Sequence, residues 1–143
     1  MMHPDRVADV MGGTAILGSR VLSVQELEAA VEIGLPKRAL RLTLARACSS
    51  AQHARALLYR VVPEATYKRR TRLTPSESER TERLARVIAT AEYVWDNRDD
   101  AREWLTKPHP ELESRPPLEA ALTELGARRA EEVLDRLFYG IPA

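Results

Sequence analysis

A concentrated run of positive charge lies in the middle of the chain. Residues 66–72 read TYKRRTR, and four of these seven residues are Lys or Arg. Cations grouped on one short element can neutralise nucleic-acid phosphates, while threonine, tyrosine and arginine side chains can reach base edges. A solvated helix face could have the same composition. The residues that would contact DNA are Thr66, Tyr67, Lys68, Arg69, Arg70 and Arg72.

The charge distribution favours nucleic acid over a solvated face. The net charge of the 143 residues is only +1. Residues 1–73, however, hold 12 Lys and Arg against 6 Asp and Glu, a net of +6. Residues 74–143 hold 10 against 15, a net of −5. Such asymmetry indicates that the two halves have different partners.

No group of residues predicts catalysis or a metal site. His3, His53 and His109 are far apart, and none has a second ligand at the spacing of a zinc site. The sequence has no phosphate-cradling glycine loop and no nucleophile beside a base. Asp99 and Asp100 are a candidate carboxylate pair, but beside Asn97 they fit better as N-caps. We expect a protein that is not an enzyme, with no catalytic residue, metal or cofactor.

Composition sets the expected environment. Cys48 is the single cysteine, which excludes an intrachain disulfide and fits a reducing compartment. We interpret it as a buried apolar filler. No run approaches the roughly 18 apolar residues of a membrane span. We expect a cytoplasmic protein with no membrane partner.

Apolar residues recur at helical spacing along the chain, and no segment has the alternation of a strand. Capping boxes at Ser23–Glu26 and Thr74–Glu77 predict the starts of two helices, the second of them long. Between these boxes, short helices and then a short basic helix have the layout of a helix-turn-helix. The turn, VVPE, lacks the glycine that such turns often contain. Three regions are predicted: a flexible arm over 1–20, the helix-turn-helix region over 21–73, and a second helical domain over 74–143.

The second half contains the features of a protein-binding surface. After a proline-rich passage, a helix is expected from Pro117 to a glycine C-cap at Gly126, followed by a last helix over residues 127–139 with Phe138 inside. The chain then ends in the apolar stretch YGIPA. The aromatic residues of the second half, Trp95, Trp104 and Tyr139, fit either core packing or a role as anchors at a protein interface. An exposed apolar tail is unusual unless a partner covers it.

The second half resembles the C-terminal toxin-binding domain of Xre/MbcA/ParS-type antitoxins, and the first half is similar to the Xre-like region of that family. The resemblance extends over about residues 21–143. The matching residues of the first half are Thr66-Tyr67-Lys68-Arg69-Arg70 and Leu73-Thr74-Pro75-Ser76-Glu77. Those of the second half are Trp104-Leu105, Pro108, Pro116-Pro117, Thr123-Glu124-Leu125-Gly126 and Val133 through Gly140.

The resemblance implies an all-α fold, in which a long helix joins an Xre-like helix-turn-helix bundle to a small helical toxin-binding domain. It implies an antitoxin that blocks the active site of a cognate RES-domain toxin, an enzyme that degrades NAD or uses it for ADP-ribosylation. It also implies binding to operator DNA with repression of its own operon, a homodimer, and a hetero-oligomer with the toxin. The toxin-binding residues would be Trp104, Leu105, Leu122, Leu134, Leu137, Tyr139, Gly140 and Ile141. A stand-alone helix-turn-helix regulator, with the acidic half serving dimerisation, remains the alternative.

Overall fold

The structure, a computed structural model, describes residues 2–140. Over these residues the chain forms ten α-helices and one 3-10 turn but no strand, so the predicted all-α class is confirmed. The helices are α1 (Pro4–Val10), α2 (Gly13–Leu17), α3 (Val24–Ile33), α4 (Lys37–Ala47), α5 (Ala51–Val61), α6 (Glu64–Arg69), α7 (Pro75–Trp95), α8 (Arg98–Thr106), α9 (Pro117–Ala120) and α10 (Glu124–Phe138). The 3-10 turn covers Pro110–Leu112. None of these helices is both long and apolar enough to cross a membrane.

The long helix α7 begins as its capping box predicts. The Thr74 hydroxyl accepts a hydrogen bond from the Glu77 backbone N–H at 3.1 Å, and the Glu77 carboxylate accepts one from the Thr74 backbone N–H at 2.9 Å. Pro75 occupies the first turn, where its missing N–H costs nothing. The helix ends at Asp96, whose φ of 50° is left-handed.

Helices from both halves of the chain bury α7. Helices α1, α3 and α4 pack against it, as do α8 and α10, and one continuous hydrophobic core results. A bidentate salt bridge also joins α4 to α7. The Nε and Nη2 atoms of Arg46 donate to the two carboxylate oxygens of Glu92 at 2.8 and 2.7 Å. Its Nη1 atom donates to Asp9 at 3.0 Å. The two halves therefore share a core and do not form separate globules.

The prediction of a flexible arm is wrong for residues 4–17. Two helices form there, and Val7, Val10 and Met11 are at most 2% exposed. The spacing of these three residues places them on one helical face, which packs on α7. Gly12, with a φ of 110°, separates the two helices. The adjacent glycines suggested a loose segment, but they make a tight connection between two short packed helices.

The predicted role of Gly126 is also wrong. The helix that starts at Pro117 ends at Ala120, and Thr123 then caps α10 by accepting a hydrogen bond from the Gly126 backbone N–H at 3.1 Å. Gly126 thus lies in the first turn of the last helix. A Cβ atom on it would overlap the carbonyl oxygen of Ala120. Glycine permits α10 to approach the preceding backbone closely and does not terminate a helix.

The start of α8 differs from expectation in a smaller way. Its N-cap is Asn97, whose side-chain oxygen accepts a hydrogen bond from the Asp100 backbone N–H at 2.9 Å. Asp99 and Asp100 are the next residues of the first turn and are not N-caps. The helix dipole favours carboxylates in that turn.

Replacing Gly126 by alanine tests the close approach. Alanine is favoured over glycine within a helix by about 1 kcal/mol, so propensity alone predicts stabilisation. We expect destabilisation by about 1–3 kcal/mol, as for other overpacked sites, since the clash is with backbone. Urea unfolding followed by circular dichroism measures this difference. The control is Leu125→Ala at an exposed neighbouring position, which should change the free energy of unfolding by less than about 1 kcal/mol. An unchanged or higher stability of Gly126→Ala would contradict the assignment.

Candidate DNA-binding and protein-binding surfaces

The short basic helix α6 is held in place by its flanking loops. Within α6 itself no residue is buried. The loop that follows it pairs with the loop before α4: the Lys37 backbone N–H donates to the Thr71 carbonyl at 3.2 Å, and the Leu73 N–H donates to the Leu35 carbonyl at 2.8 Å. Backbone pairing at a distance in sequence therefore fixes the orientation of α6 relative to α4.

Tyr67 anchors the inner side of α6. Its hydroxyl donates to the Lys37 carbonyl at 3.1 Å, and the Lys37 ammonium lies 4.9 Å from the centre of its ring. The ring of Tyr59 packs edge-on with a centroid distance of 6.4 Å. Burial raises the pKa of Tyr67, and the nearby charge of Arg41 opposes that rise. Tyr67 thus faces α4 and α5, and Thr66 beside it is half-buried.

Two of the predicted DNA-contacting arginines make contacts within the protein. Arg70 donates to the Glu77 carboxylate at 2.6 Å, and Arg72 donates to the Gly34 carbonyl at 2.7 Å. Burial would raise the pKa of Glu77, but hydrogen bonds from the Thr74 N–H and from Arg70 outweigh it, so that this pKa is lowered. Arg70 and Arg72 therefore stabilise the loop between α6 and α7.

Lys68 and Arg69 are exposed on the outer side of α6, together with Glu64 and Ala65. Lys68 forms an ion pair with Glu64 at 2.9 Å, one helical turn away. Among the described residues, no carboxylate lies within 4.0 Å of the Arg69 guanidinium. Arg69 is thus the cation of α6 that is most available to a phosphate.

Neighbouring helices contribute cations that the sequence prediction missed. The charges of Arg41 and Arg38 of α4 act to lower the pKa of Tyr67, and the charge of Arg55 of α5 acts to lower the pKa of Lys68, so the three arginines belong to the surroundings of α6. We call the surface formed by α4, α5 and α6 the basic face; it comprises Lys37, Arg38, Arg41, Arg55, Lys68 and Arg69. The spacing of Arg38 and Arg41 placed them on one side of α4, but only the packing of α4 beside α6 joins them to the cluster.

The predicted toxin-binding residues do not form one surface. Leu105 and Leu134 are fully buried, so they support a surface and do not contribute to it. Leu122 and Leu137 are partly buried. The Trp104 ring packs edge-on against the His109 ring, with 6.1 Å between the ring centroids. Tyr139 and Gly140 are exposed at the end of α10. Ile141 lies outside the described residues.

An open groove lies between α3 and α10, with α7 as its floor. Its volume is about 800 Å³. Val24, Tyr93, Phe138 and Tyr139 line it and are 60, 44, 49 and 74% exposed. The prediction that Phe138 packs inside is therefore wrong; its ring contacts Tyr93 at a centroid distance of 5.4 Å on the surface. Within the described part of the chain, no three His, Cys, Asp or Glu side chains are grouped to hold a metal.

Comparisons with known proteins decide the family. The sequence model of the antitoxin Xre-like helix-turn-helix domain matches residues 19–86. The model of the antitoxin Xre/MbcA/ParS C-terminal toxin-binding domain matches residues 90–140. The chain belongs to the Xre/MbcA/ParS antitoxin family. The helix-turn-helix domain is N-terminal and the toxin-binding domain C-terminal, as the sequence predicted.

A curated relative carries the same family name. The chain is 32% identical over 84 residues to the protein called Antitoxin Xre from Pseudomonas putida. The match includes 56% of this chain and 53% of the relative, so it spans about half the length of that protein. The two family domains meet within α7, between residues 86 and 90. The boundary predicted from sequence, between residues 73 and 74, lies before this helix begins.

The contact between Arg70 and Glu77 predicts a pH dependence of stability. The folded-state pKa of Glu77 is lowered, so its contribution is present above the ordinary glutamate pKa of about 4.3 and is lost as the pH falls through the folded value. We expect Glu77→Gln to be destabilised by about 0.5–2 kcal/mol at pH 7, as for other lost caps. Its stability should also fall less steeply in acid. Urea unfolding across pH measures both, and Glu79→Gln, at an exposed position, is the control. Parallel pH profiles for wild type and Glu77→Gln would contradict this.

Proposed function

We propose that this protein is the antitoxin of a RES-type toxin and that it also binds the DNA of its own operon. The supporting observation is that two surfaces of different chemistry lie on different helices of one shared core. The basic face combines cations from α4, α5 and α6. The end of α10 and the groove beside it expose aromatic and aliphatic side chains. A phosphate backbone matches the first, and a protein partner matches the second.

Neutralisation of the toxin would depend on the end of α10. Tyr139 and Gly140 are exposed there, with Leu137 partly buried behind them. An aromatic side chain at the end of a rigid helix is well suited to enter a cleft, since little conformational entropy is lost on binding. In this proposal the region blocks the NAD-binding site of the toxin, and Leu105 and Leu134 hold the helix in position. The protein itself acts by binding in the cytoplasm and catalyses nothing.

Repression would depend on the basic face. Lys68 and Arg69 project from α6, and Arg38 and Arg41 extend the positive surface along α4. These cations would contact phosphates on both sides of the groove that α6 enters, as in other helix-turn-helix proteins. A homodimer would place two such faces on a two-fold operator, and the toxin would add to it as a hetero-oligomer.

The basic face also fits a second function, that of a stand-alone transcriptional regulator without a toxin partner. The two proposals differ in what lies next to the gene and in whether a toxin binds. A neighbouring reading frame for a RES-type protein favours the antitoxin. Co-purification of this chain with that product, followed by an assay of the released partner for NAD consumption, separates the two directly.

Truncation of the chain tests neutralisation. Deleting residues 139–143 removes Tyr139 and Gly140, the exposed residues directly after α10, but leaves the buried residues of that helix in place. We expect the fold and the thermal transition to survive, while inhibition of NAD consumption by the toxin is lost. The control is Leu125→Ala, an exposed apolar change at the other end of the same helix. Full inhibition by the folded truncation would reject this mechanism.

Replacement of Arg69 tests DNA contact. In this proposal Arg69→Ala removes one phosphate contact, so the slope of log affinity against log salt should fall by about one unit. A filter or anisotropy titration with duplex from the region upstream of the gene measures that slope. Arg128→Ala is the control, since Arg128 is exposed on α10 away from the basic face. Equal slopes for wild type and Arg69→Ala would argue that the cluster is only a solvated surface.

A further inference from the structure

The groove between α3 and α10 has an apolar lining that the folded chain leaves uncovered. Val24 extends from α3, Tyr93 from α7, and Phe138 from α10, and each is more than two-fifths exposed. Val31 and Leu27, deeper on α3, continue the lining into the core. Contiguous exposed apolar side chains in a concave surface are typical of a site for another protein.

The rim of the groove is negatively charged. Four of the carboxylates that line it are exposed and have no Lys or Arg within 4.0 Å among the described residues. They are Glu28 of α3, Glu79 of α7, and Glu132 and Asp135 of α10. Both walls therefore present carboxylates. The apolar lining of Val24, Tyr93 and Phe138, which we call the apolar strip, lies between them.

The carboxylates deeper in the groove are paired with arginines of the protein, and two of them share Arg86. Arg86 donates to Glu82 at 2.8 Å and approaches Glu131 at 3.4 Å. Burial raises the pKa of both carboxyl groups, although Arg86 opposes the rise. Arg128, the other lining arginine, lies 3.5 Å from Glu124. The four exposed carboxylates of the rim, by contrast, form no ion pair with an arginine or lysine in the described part of the chain, and an arriving partner meets them first.

We propose that this groove binds a basic amphipathic segment of the toxin, in addition to the contact at the end of α10, with which it shares Tyr139. Apolar side chains of the segment enter the strip, and its Lys or Arg residues pair with the rim carboxylates. This inference rests on the proposed function, since the toxin is the partner. The negative charge of the rim disfavours the binding of nucleic acid in this groove. It also disfavours a second copy placed groove to groove, because like charges would then face each other.

The test measures binding of this chain to the catalytically inactivated product of the neighbouring RES-type reading frame. The variants are Glu132→Lys/Asp135→Lys, which reverses charge on the rim, and Val24→Ser, which removes an apolar contact. Both alter exposed positions, and circular dichroism checks their folding. The control is Glu32→Lys/Asp100→Lys, the same charge change at exposed residues that do not line the groove.

We expect the rim reversal to weaken binding by about tenfold or more at low salt, mainly through a slower association rate, and the difference to shrink as salt increases. Val24→Ser should raise the dissociation rate. The control should bind like wild type. If wild type binds the toxin and the rim reversal behaves like the control, the groove proposal is overturned while the antitoxin function stands. If wild type binds no toxin, the proposed function itself fails.

Cross-linking identifies the occupant directly. Val24→Cys places a thiol at the groove, and the native Cys48 is buried with a pKa raised to about 11 by that burial, so it stays unreactive near neutral pH. A photoactivatable group attached to the introduced thiol of the Val24→Cys variant is then cross-linked in the complex and mapped by mass spectrometry. A cross-link to a toxin segment of net positive charge supports the proposal. A cross-link to an acidic segment, or to a second copy of this chain, overturns it.

Discussion

Burial of α7 from both sides is the constraint on which the rest of the structure depends. Several of its apolar residues, among them Leu84 and Ile88, are fully enclosed, and this requires helices from both halves of the chain. The bidentate contact of Arg46 with Glu92 fastens α4 to the same helix. As a result the basic face and the apolar groove have fixed positions on one core. The distance between them is set by packing and not by a linker.

Only some of the charges in the cluster at residues 66–72 remain available to a partner once the chain has folded. Arg70 and Arg72 make hydrogen bonds to Glu77 and to the Gly34 carbonyl. Tyr67 is turned toward α4. In the proposed function, α6 would offer a partner chiefly Lys68 and Arg69, and the arginines of α4 would supply the remaining cations. The internal contacts would still support such binding, because they fix a helix that has no buried residue of its own.

Local rules account for most of the helices. The Thr74–Glu77 box and Ser23, which caps α3, could be identified from sequence because a cap depends on residues within one turn. The errors came from contacts distant in sequence or from glycine. Val7 and Met11 are buried by packing on α7, and position 126 must be glycine because the carbonyl oxygen of Ala120 lies where a Cβ atom would be. Neither this burial nor this close approach can be read from the pattern of neighbouring residues. The groove was missed for the same reason, since Val24 and Phe138 are more than 110 residues apart and meet only through packing.

The shared core also bears on how the protein would be removed from a cell. Two domains on a flexible linker can be unfolded and degraded one at a time, whereas helices packed around one common element are expected to unfold as a single cooperative unit. A protease that pulls on either end would have to strip α7 from all its neighbours. Release of an inhibited partner and release of bound DNA would then occur in the same event, and the lifetime of one chain would set the timing of both.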